Sequence, residues 1–360
     1  MTGNKKFLYL FLEDMEHVLQ HSRNLWEVVR NKSIFITGGT GFFGKWLLES
    51  FIYANKQLKL GASITVLTRD PSKFIKEFPL YERESTVEFI SGDILTFNFP
   101  AKKFNYIIHA ATTSSDANIY QKQPLLMLDT ITKGTRRVLD FAKQQPPESF
   151  LFVSSGAVYG KQPSHITHIK ETDSFFIDIN DPGSAYAEGK RLAELCCSIY
   201  FKEYNLPVKI ARCFAFVGPF LPLDKHFAIG NFILNALKGE DIVIKGDGTP
   251  HRSYLYSADL AIWLWTILLK GKKTFPYNVG SDQAITIKEL AYLVAKVGHN
   301  HQRVIVSKQS PKLIFPERYT PSIERAVNDL DISQKIDLKE SIRRTLYWHE
   351  NIDKQKKSIN

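Results

Sequence analysis

Cysteine is scarce. Three occur in 360 residues, Cys196, Cys197 and Cys213, with no CxxC spacing and no paired framework. That excludes a small fold stapled by disulfides and leaves no zinc ligands at useful spacing. The three read as packed thiols of a reducing compartment, two of them adjacent in a helical stretch. Long apolar runs are also missing, so no segment reaches the length of a membrane span. The short run Phe7–Leu12 follows two lysines, but Glu13, Asp14 and Glu16 cut it off before it can serve as the core of an export signal. Internal repeats and low-complexity tracts are absent. With 44% hydrophobic and 23% charged residues, the chain reads as a globular cytoplasmic protein long enough for a large core and an appended lobe.

The formal charge is +10, yet Lys and Arg are spread along the chain, with one short run at Lys354, Lys356 and Lys357. Nucleic-acid binding calls for clustered basic residues, so no nucleic-acid partner is expected. A diffuse positive field suits steering of a small anionic ligand.

From Ser33 onward, short apolar runs alternate with amphipathic stretches. Ser33–Thr37, Ser63–Thr68, Val87–Ser91, Tyr106–Ala110, Phe150–Ser154 and Val208–Arg212 are rich in Val, Ile and Phe, as strands covered on both faces require. Phe43–Ala54, Leu125–Lys143 and Ala185–Tyr204 read as helices. The alternation predicts an α/β fold with a doubly wound parallel sheet. After about Phe214 the rhythm loosens around Gly218-Pro219 and Gly246-Asp247-Gly248. The expected organisation is a helical extension at 1–32, with a helix over Glu13–Val29, then a nucleotide-binding domain at 33–213. Residues 214–360 would be mainly a smaller α/β substrate lobe, with the chain free to cross between the two.

The first strand runs into Gly38-Gly39-Thr40-Gly41-Phe42-Phe43-Gly44. Gly38 permits a tight turn, Gly41 a close approach of backbone to a pyrophosphate, and Gly44 close packing of helix on strand. Phe42 and Phe43 open the helix whose N–H groups and dipole face the phosphates. The spacing is GxxGxxG rather than GxGxxG. At the end of the second strand, Arg69 suits the extra phosphate of NADP, whereas the following Asp70 keeps NAD open. Asp93 and Ile94, after the third strand, are placed to meet the adenine. Ala110, Ala111 and Thr112, after the fourth, are small enough for a cofactor to lie against the backbone. His109 is read as a packed residue without a chemical role.

Tyr186 and Lys190 stand four apart on one helical face. A phenol titrates near about pH 10, and a neighbouring ammonium favours its phenolate. Tyr186 can then exchange a proton with a sugar hydroxyl while hydride moves, and Lys190 can also hold the nicotinamide ribose. Ser155 ends the fifth strand at the same edge of the sheet and can position the sugar oxygen.

These pieces, TGGTGFFG (37–44), GDI (92–94), HAAT (109–112), SSGAVYG (154–160), YAEGK (186–190), GDGTPHRSY (246–254) and YNVGS (277–281), together resemble the extended short-chain dehydrogenase/reductase family, the NAD-dependent epimerases and dehydratases of nucleotide sugars. The resemblance spans Ser33 to Leu346. It implies a catalytic triad of Ser155, Tyr186 and Lys190, a phosphate loop at Gly38, Gly41 and Gly44, and Thr113, Ser155, Tyr186 and Arg252 on the sugar nucleotide, with Arg252 clamping its diphosphate. It also implies a homodimer built from the helices near 125–143 and 185–204.

Departures narrow the chemistry. The dehydratases carry an Asp-Glu pair where Gly156 and Ala157 stand, and the uronate decarboxylases need a Glu at the second of these positions. Ile131 replaces a common Asn, and 213–216 lacks another. The expectation is hydride transfer at a sugar carbon, C4, by an epimerase or a 4-ketosugar reductase serving surface-polysaccharide synthesis, with NADP or NAD. Dehydratase, decarboxylase and non-catalytic sensor or scaffold are the alternatives, the last disfavoured by the retained Tyr186 and Lys190.

Overall fold

The computed structural model describes residues 3–112, 122–225, 227–298, 302–308 and 316–359. A helix α1 (Gly3–Ser22) and a 3-10 segment (Arg23–Val29) precede β1 (Ser33–Thr37), α2 (Phe42–Leu58), β2 (Ser63–Thr68), α3 (Pro71–Glu77) and β3 (Val87–Ser91). Next come β4 (Tyr106–His109), α4 (Pro124–Gln144), β5 (Ser149–Ser155), α5 (Ala185–Tyr204) and β6 (Val208–Cys213). Beyond lie β7 (Phe216–Val217), α6 (Ala228–Lys238), β8 (Ile242–Ile244), β9 (His251–Arg252), β10 (Leu255–Tyr256) and α7 (Ser257–Lys270). The chain closes with β11 (Pro276–Val279), β12 (Ile285–Thr286), α8 (Ile287–Val297), β13 (Val304–Val306), β14 (Arg318–Tyr319), α9 (Glu324–Leu330) and α10 (Leu338–Ile359).

Seven of these strands form one parallel sheet in the order β11-β6-β5-β4-β1-β2-β3. Alternate residues serve opposite faces, as the two-residue period of a strand requires. Ile34, Ile36, Ile64, Val66, Leu151 and Val153 enter a core shared with α2 and α7. Phe35, Leu67, Ile107, Phe150, Phe152 and Ile210 enter another, shared with α4 and α5. The sheet is therefore covered on both sides, which is the doubly wound arrangement read from the sequence. Strand order reverses between β1 and β4, and ligands of such sheets bind in the crevice at the carboxyl ends there.

The stretch after residue 213 is not all one lobe. β11 returns to pair with β6, Tyr277 in register with Ala211, and α7 is buried along most of its length against β5 and β6. A separate core around Phe232, Ile233, Leu290, Val294 and Ile342 joins α6, α8 and α10. A small sheet, β12-β9-β14, carries Arg252 and Tyr319. No helix among the described residues is long and apolar enough to cross a membrane.

The N-terminal extension begins earlier than the apolar spacing from Glu13 suggests. It changes from α-helix to 3-10 helix after Ser22, whose hydroxyl donates to the Val18 carbonyl (2.5 Å) and accepts from Trp26 Nε1 (2.9 Å). α1 packs on α2, α7 and α10. Phe11 meets the rings of Trp46, Phe220 and Trp348 at 5.8, 5.7 and 5.0 Å. Phe220 holds φ +69°, the left-handed region that an aromatic residue adopts only under constraint, beside Pro219, whose carbonyl accepts from Trp46 Nε1 at 2.9 Å.

Candidate active site

The carboxyl ends of β1, β4 and β5 meet in one place. Gly38 leaves β1 with φ +76°, and a Cβ there would stand 2.6 Å from the backbone of Ala110 and Ala111. Only glycine fits that turn. Gly44 is equally confined, its missing Cβ lying 2.3 Å from the Gly38 and Gly39 carbonyls, so α2 sits directly on the turn. Gly41 is different: a Cβ would find only the Gly38 carbonyl, at 3.4 Å. Gly41 is also the N-cap of α2, and no side chain caps that helix. The open side of the turn and the uncapped first-turn N–H groups form a cradle that fits a dinucleotide pyrophosphate. Phe42 and Phe43 flank it, with Phe43 packed edge-on against Phe216 at 4.9 Å.

Around this cradle, Arg69 is exposed at the end of β2. Asp70 is already engaged: its carboxylate caps α3 by accepting from the Lys73 N–H at 2.9 Å. The Asp93 carboxylate accepts from the Leu95 N–H (2.9 Å) and remains exposed, while Ile94 packs against Gly134 of α4. Ala110, Ala111 and Thr112 follow β4, and Thr113 lies outside the described residues.

His109 is locked. Its Nδ1 pairs with Thr37 Oγ1 at 2.7 Å and its Nε2 with Thr135 Oγ1 at 3.0 Å. Burial, with Lys190 nearby, pushes its pKa down to about 3, so the ring stays neutral and does not act as a general acid.

Tyr186 and Lys190 lie on the first turns of α5, which enters through a short turn where Asp181 accepts from the Gly183 N–H at 2.8 Å. Lys190 is buried. Its ammonium donates to the Val153 carbonyl of β5 at 2.8 Å and stands 4.8 Å over the Phe152 ring. Desolvation lowers its pKa to about 8. Tyr186 packs against the α4–α5 core. Ser155 ends β5, buried, its Oγ accepting from the Ala157 N–H at 3.2 Å.

Two features of this site carry no mark in the triad motifs. One is a buried charge network behind it. Ser154 donates to Glu194 at 2.5 Å, and Arg212 of β6 grips the same carboxylate at 2.7 and 3.1 Å. Glu194 continues the four-residue spacing of Tyr186 and Lys190, a signal that could have found it. The other is Tyr319. It comes from the small sheet, its ring is tilted against Phe214 at 4.7 Å, and burial, with Tyr186 nearby, pushes its phenol pKa up. A tyrosine in a two-residue strand has no periodic signature, so no sequence pattern announces it. Arg252 is its registered neighbour on β9. The Arg252 guanidinium donates to the His251 carbonyl (2.8 Å) and lies 3.4 Å from Glu317, about a quarter exposed. Among the described residues no group of His, Cys, Asp and Glu is arranged to hold a metal.

Comparison with known proteins gives a consistent picture. The family model described as "NAD dependent epimerase/dehydratase family" matches residues 34–280. UDP-glucuronic acid decarboxylase 1 of Xenopus tropicalis is 28% identical over 320 residues, covering 88% of this chain and 72% of that protein. Among solved structures, UDP-N-acetylglucosamine 4-epimerase from Methanobrevibacter ruminantium M1, in complex with UDP-N-acetylmuramic acid, superposes with a TM-score of 0.77 at 22% identity over 90% of this chain and 99% of its own. UDP-glucuronic acid 4-epimerase from Bacillus cereus, in complex with UDP-glucuronic acid and NAD, gives 0.74 at 21% identity, over 89% and 99%. At these identities the solved structures bear on the fold.

Proposed function

Because the chain belongs to the NAD dependent epimerase/dehydratase family, we propose that it moves hydride at C4 of a nucleoside-diphosphate sugar, as an epimerase or a 4-ketosugar reductase. The observation that carries this reading is the placement of Ser155, Tyr186 and Lys190 at the same sheet edge as the glycine cradle. A nicotinamide held in the cradle would supply the acceptor or donor of hydride. Tyr186 takes the proton of the sugar hydroxyl as the carbonyl forms and returns it in the reverse step. Ser155 donates to the same oxygen and fixes its place. Lys190 supplies the positive charge that favours the Tyr186 phenolate and can hold the ribose. Arg252, on the small sheet, supports a diphosphate at the outer end of the pocket.

The cofactor preference rests on β2. Arg69 is exposed and Asp70 is held by α3, which supports NADP over NAD. A second copy of the chain is the proposed partner. α5 exposes Leu192, Leu195 and Ile199 at 47, 55 and 40%, spaced i, i+3, i+7, and packs on α4, which exposes Leu125 and Leu126. A surface-polysaccharide pathway fits a nucleotide-sugar substrate.

Decarboxylation is the second reading, favoured by the UDP-glucuronic acid decarboxylases among the relatives. A uronic acid oxidised at C4 is a β-keto acid, which loses carbon dioxide, so the first hydride step is shared. Ala157, without an acid group, weighs against it. The test is a panel of UDP-hexoses, UDP-glucuronic acid and nucleotide 4-keto-6-deoxyhexoses with NADH or NADPH, following cofactor absorbance, carbon dioxide and product identity. A new isomer without net cofactor loss identifies an epimerase, stoichiometric oxidation of cofactor a reductase, and a pentose product a decarboxylase. Absence of turnover on the whole panel refutes the enzymatic reading.

A further inference from the structure

Tyr186, Lys190 and Glu194 follow one another at four-residue intervals on α5, so one face of the helix carries all three. Two of them tie that face to the end of β5. The Lys190 ammonium donates to the Val153 carbonyl at 2.8 Å, and the Glu194 carboxylate accepts from the Ser154 hydroxyl at 2.5 Å. Ser154 directly precedes Ser155, and both are buried. The carboxylate is itself fixed from β6. Arg212, in register with Ser154, donates through Nε to Oε1 at 3.1 Å and through Nη2 to Oε2 at 2.7 Å. Arg212 is held in turn by the Glu171 carbonyl at 3.0 Å and lies 4.8 Å over the Tyr159 ring. Both oxygens of Glu194 therefore have donors, and those donors come from two neighbouring strands.

Tyr186 and Ser155 must meet on one sugar oxygen, yet they come from different elements, a helix and a strand. We propose that Glu194 is a positioning residue for the reaction: by holding Ser154 and Arg212 at once, it sets where α5 lies against the end of β5, and so the spacing between Tyr186 and Ser155. This rests on the functional reading above, in which those two residues share an oxygen. Glu194 stands two turns from Tyr186, about 12 Å along the helix axis, and acts through the helix rather than on the substrate. A misplacement of about 1 Å at reacting groups costs up to about 100-fold in rate.

The charge of Glu194 leaves a second mark. Lys190 is faced by His109 from β4, Cys213 from β6, and Tyr186, Glu194 and Cys197 from its own helix. Burial drives both thiols up and the imidazole down, so these three are uncharged near neutral pH. Burial lowers the Lys190 pKa to about 8, and Cys213, Glu194 and Cys197 oppose that fall, the carboxylate alone with a charge near neutral pH. Removing this charge should let the Lys190 pKa drop further.

The test compares wild type with Ser154→Ala and Glu194→Gln, each followed by thermal melt, on UDP-glucose, UDP-N-acetylglucosamine and UDP-glucuronic acid with NAD+ and NADP+. Ser154→Ala cuts the tie to the strand and leaves the ion pair, so kcat should fall roughly 10- to 100-fold. KM and cofactor Kd should stay within about threefold, and the alkaline limb of kcat/KM should stay in place. Glu194→Gln keeps an acceptor for Ser154 and loses the charge, so its alkaline limb should move to lower pH, with a smaller loss of kcat at its own optimum. Should Ser154→Ala not fold, the Glu194→Gln profile decides alone. A folded Ser154→Ala variant with wild-type kcat, or a Glu194→Gln profile with its alkaline limb unmoved, overturns this proposal alone and leaves Glu194 a residue of stability. A wild type inactive on every probe overturns the functional reading and this proposal together.

Discussion

Arg212 and Glu194 form a largely buried ion pair, 2.7 Å at its shortest, directly behind the strand end that presents Ser155. Arg212 also stands 4.8 Å over the Tyr159 ring and donates to the Glu171 carbonyl at 3.0 Å. Glu194 therefore joins β5, β6 and α5 at one point. Removing one member of such a pair strands the other charge. Glu194→Ala should cost about 3–5 kcal/mol in urea unfolding, and Glu194→Gln less, because the amide still accepts from Ser154 and Arg212. Equal, small losses for both would mean that water reaches the site.

Lys190 should separate activity from stability. Its folded pKa, about 8, lies below its ordinary value of 10.5 because the charged form is desolvated. The unfolded chain therefore binds more protons between those values, and this group's unfavourable contribution is full below about pH 8 and relieved as pH rises through the window. Lys190→Met should match or exceed wild-type stability at pH 7 while lowering kcat/KM by at least about 100-fold. The wild-type kcat/KM should fall on the alkaline side with an apparent pKa near 8. A thermal melt and a pH–rate series on both proteins decide it.

Asp14 predicts a stability effect of unusual sign. It is buried, accepts from the Tyr256 hydroxyl at 2.6 Å and pairs with Arg344, which also reaches Glu340 at 2.7 Å. Burial pushes its pKa up from 3.8 to about 6. The folded state then holds the proton more tightly than the unfolded one, so this contribution to stability grows as pH falls from about 6 towards 4. The stability of wild type relative to Asp14→Asn should rise over that interval, read from melts of both proteins at matched pH.

The exposed stripe on α5 predicts the assembly. A charge at its centre, Leu195→Glu, would be buried and unpaired in a dimer that uses this face. Light scattering should show a dimer for wild type and a monomer for the variant, with cofactor affinity retained. A dimer that survives Leu195→Glu would place the contact on another surface.

Legibility followed physical cause. β1 and β2 could be read to the residue because burial on both faces forces continuous apolar runs, as in Ile34-Phe35-Ile36, and β3, an edge strand with Glu88 and Ser91 exposed, by Val87, Phe89 and Ile90. The Tyr186–Lys190 spacing was readable because helical geometry is periodic, and the same period, extended one turn, reaches Glu194. β11 was quoted only as a motif. Its four residues lie among Gly271, Pro276 and Gly280, and what makes them a strand is the waiting edge of β6, a partner remote in sequence. Tyr319 fails for the same reason more severely, since its meaning lies entirely in what it touches. Asp70 shows the opposite case: a residue legible as a ribose ligand also caps a local helix through one carboxylate oxygen, a second role that the sequence reading did not assign.

The strained Phe220 has a consequence for the order in which the protein is built. The rings that hold it come from Phe11 near one end of the chain and Trp348 near the other. During synthesis the N-terminal part folds first, and the seven strands of the parallel sheet are all made once β11 is, with Ile323, Ala326 and Leu330 still to join its core. The Gly218–Phe220 bend leading into the second lobe cannot acquire its full clamp until α10 has left the ribosome. A nascent chain can thus own a complete cofactor cradle while the entrance to its substrate lobe is unfinished, and trimming either terminus would injure the same bend.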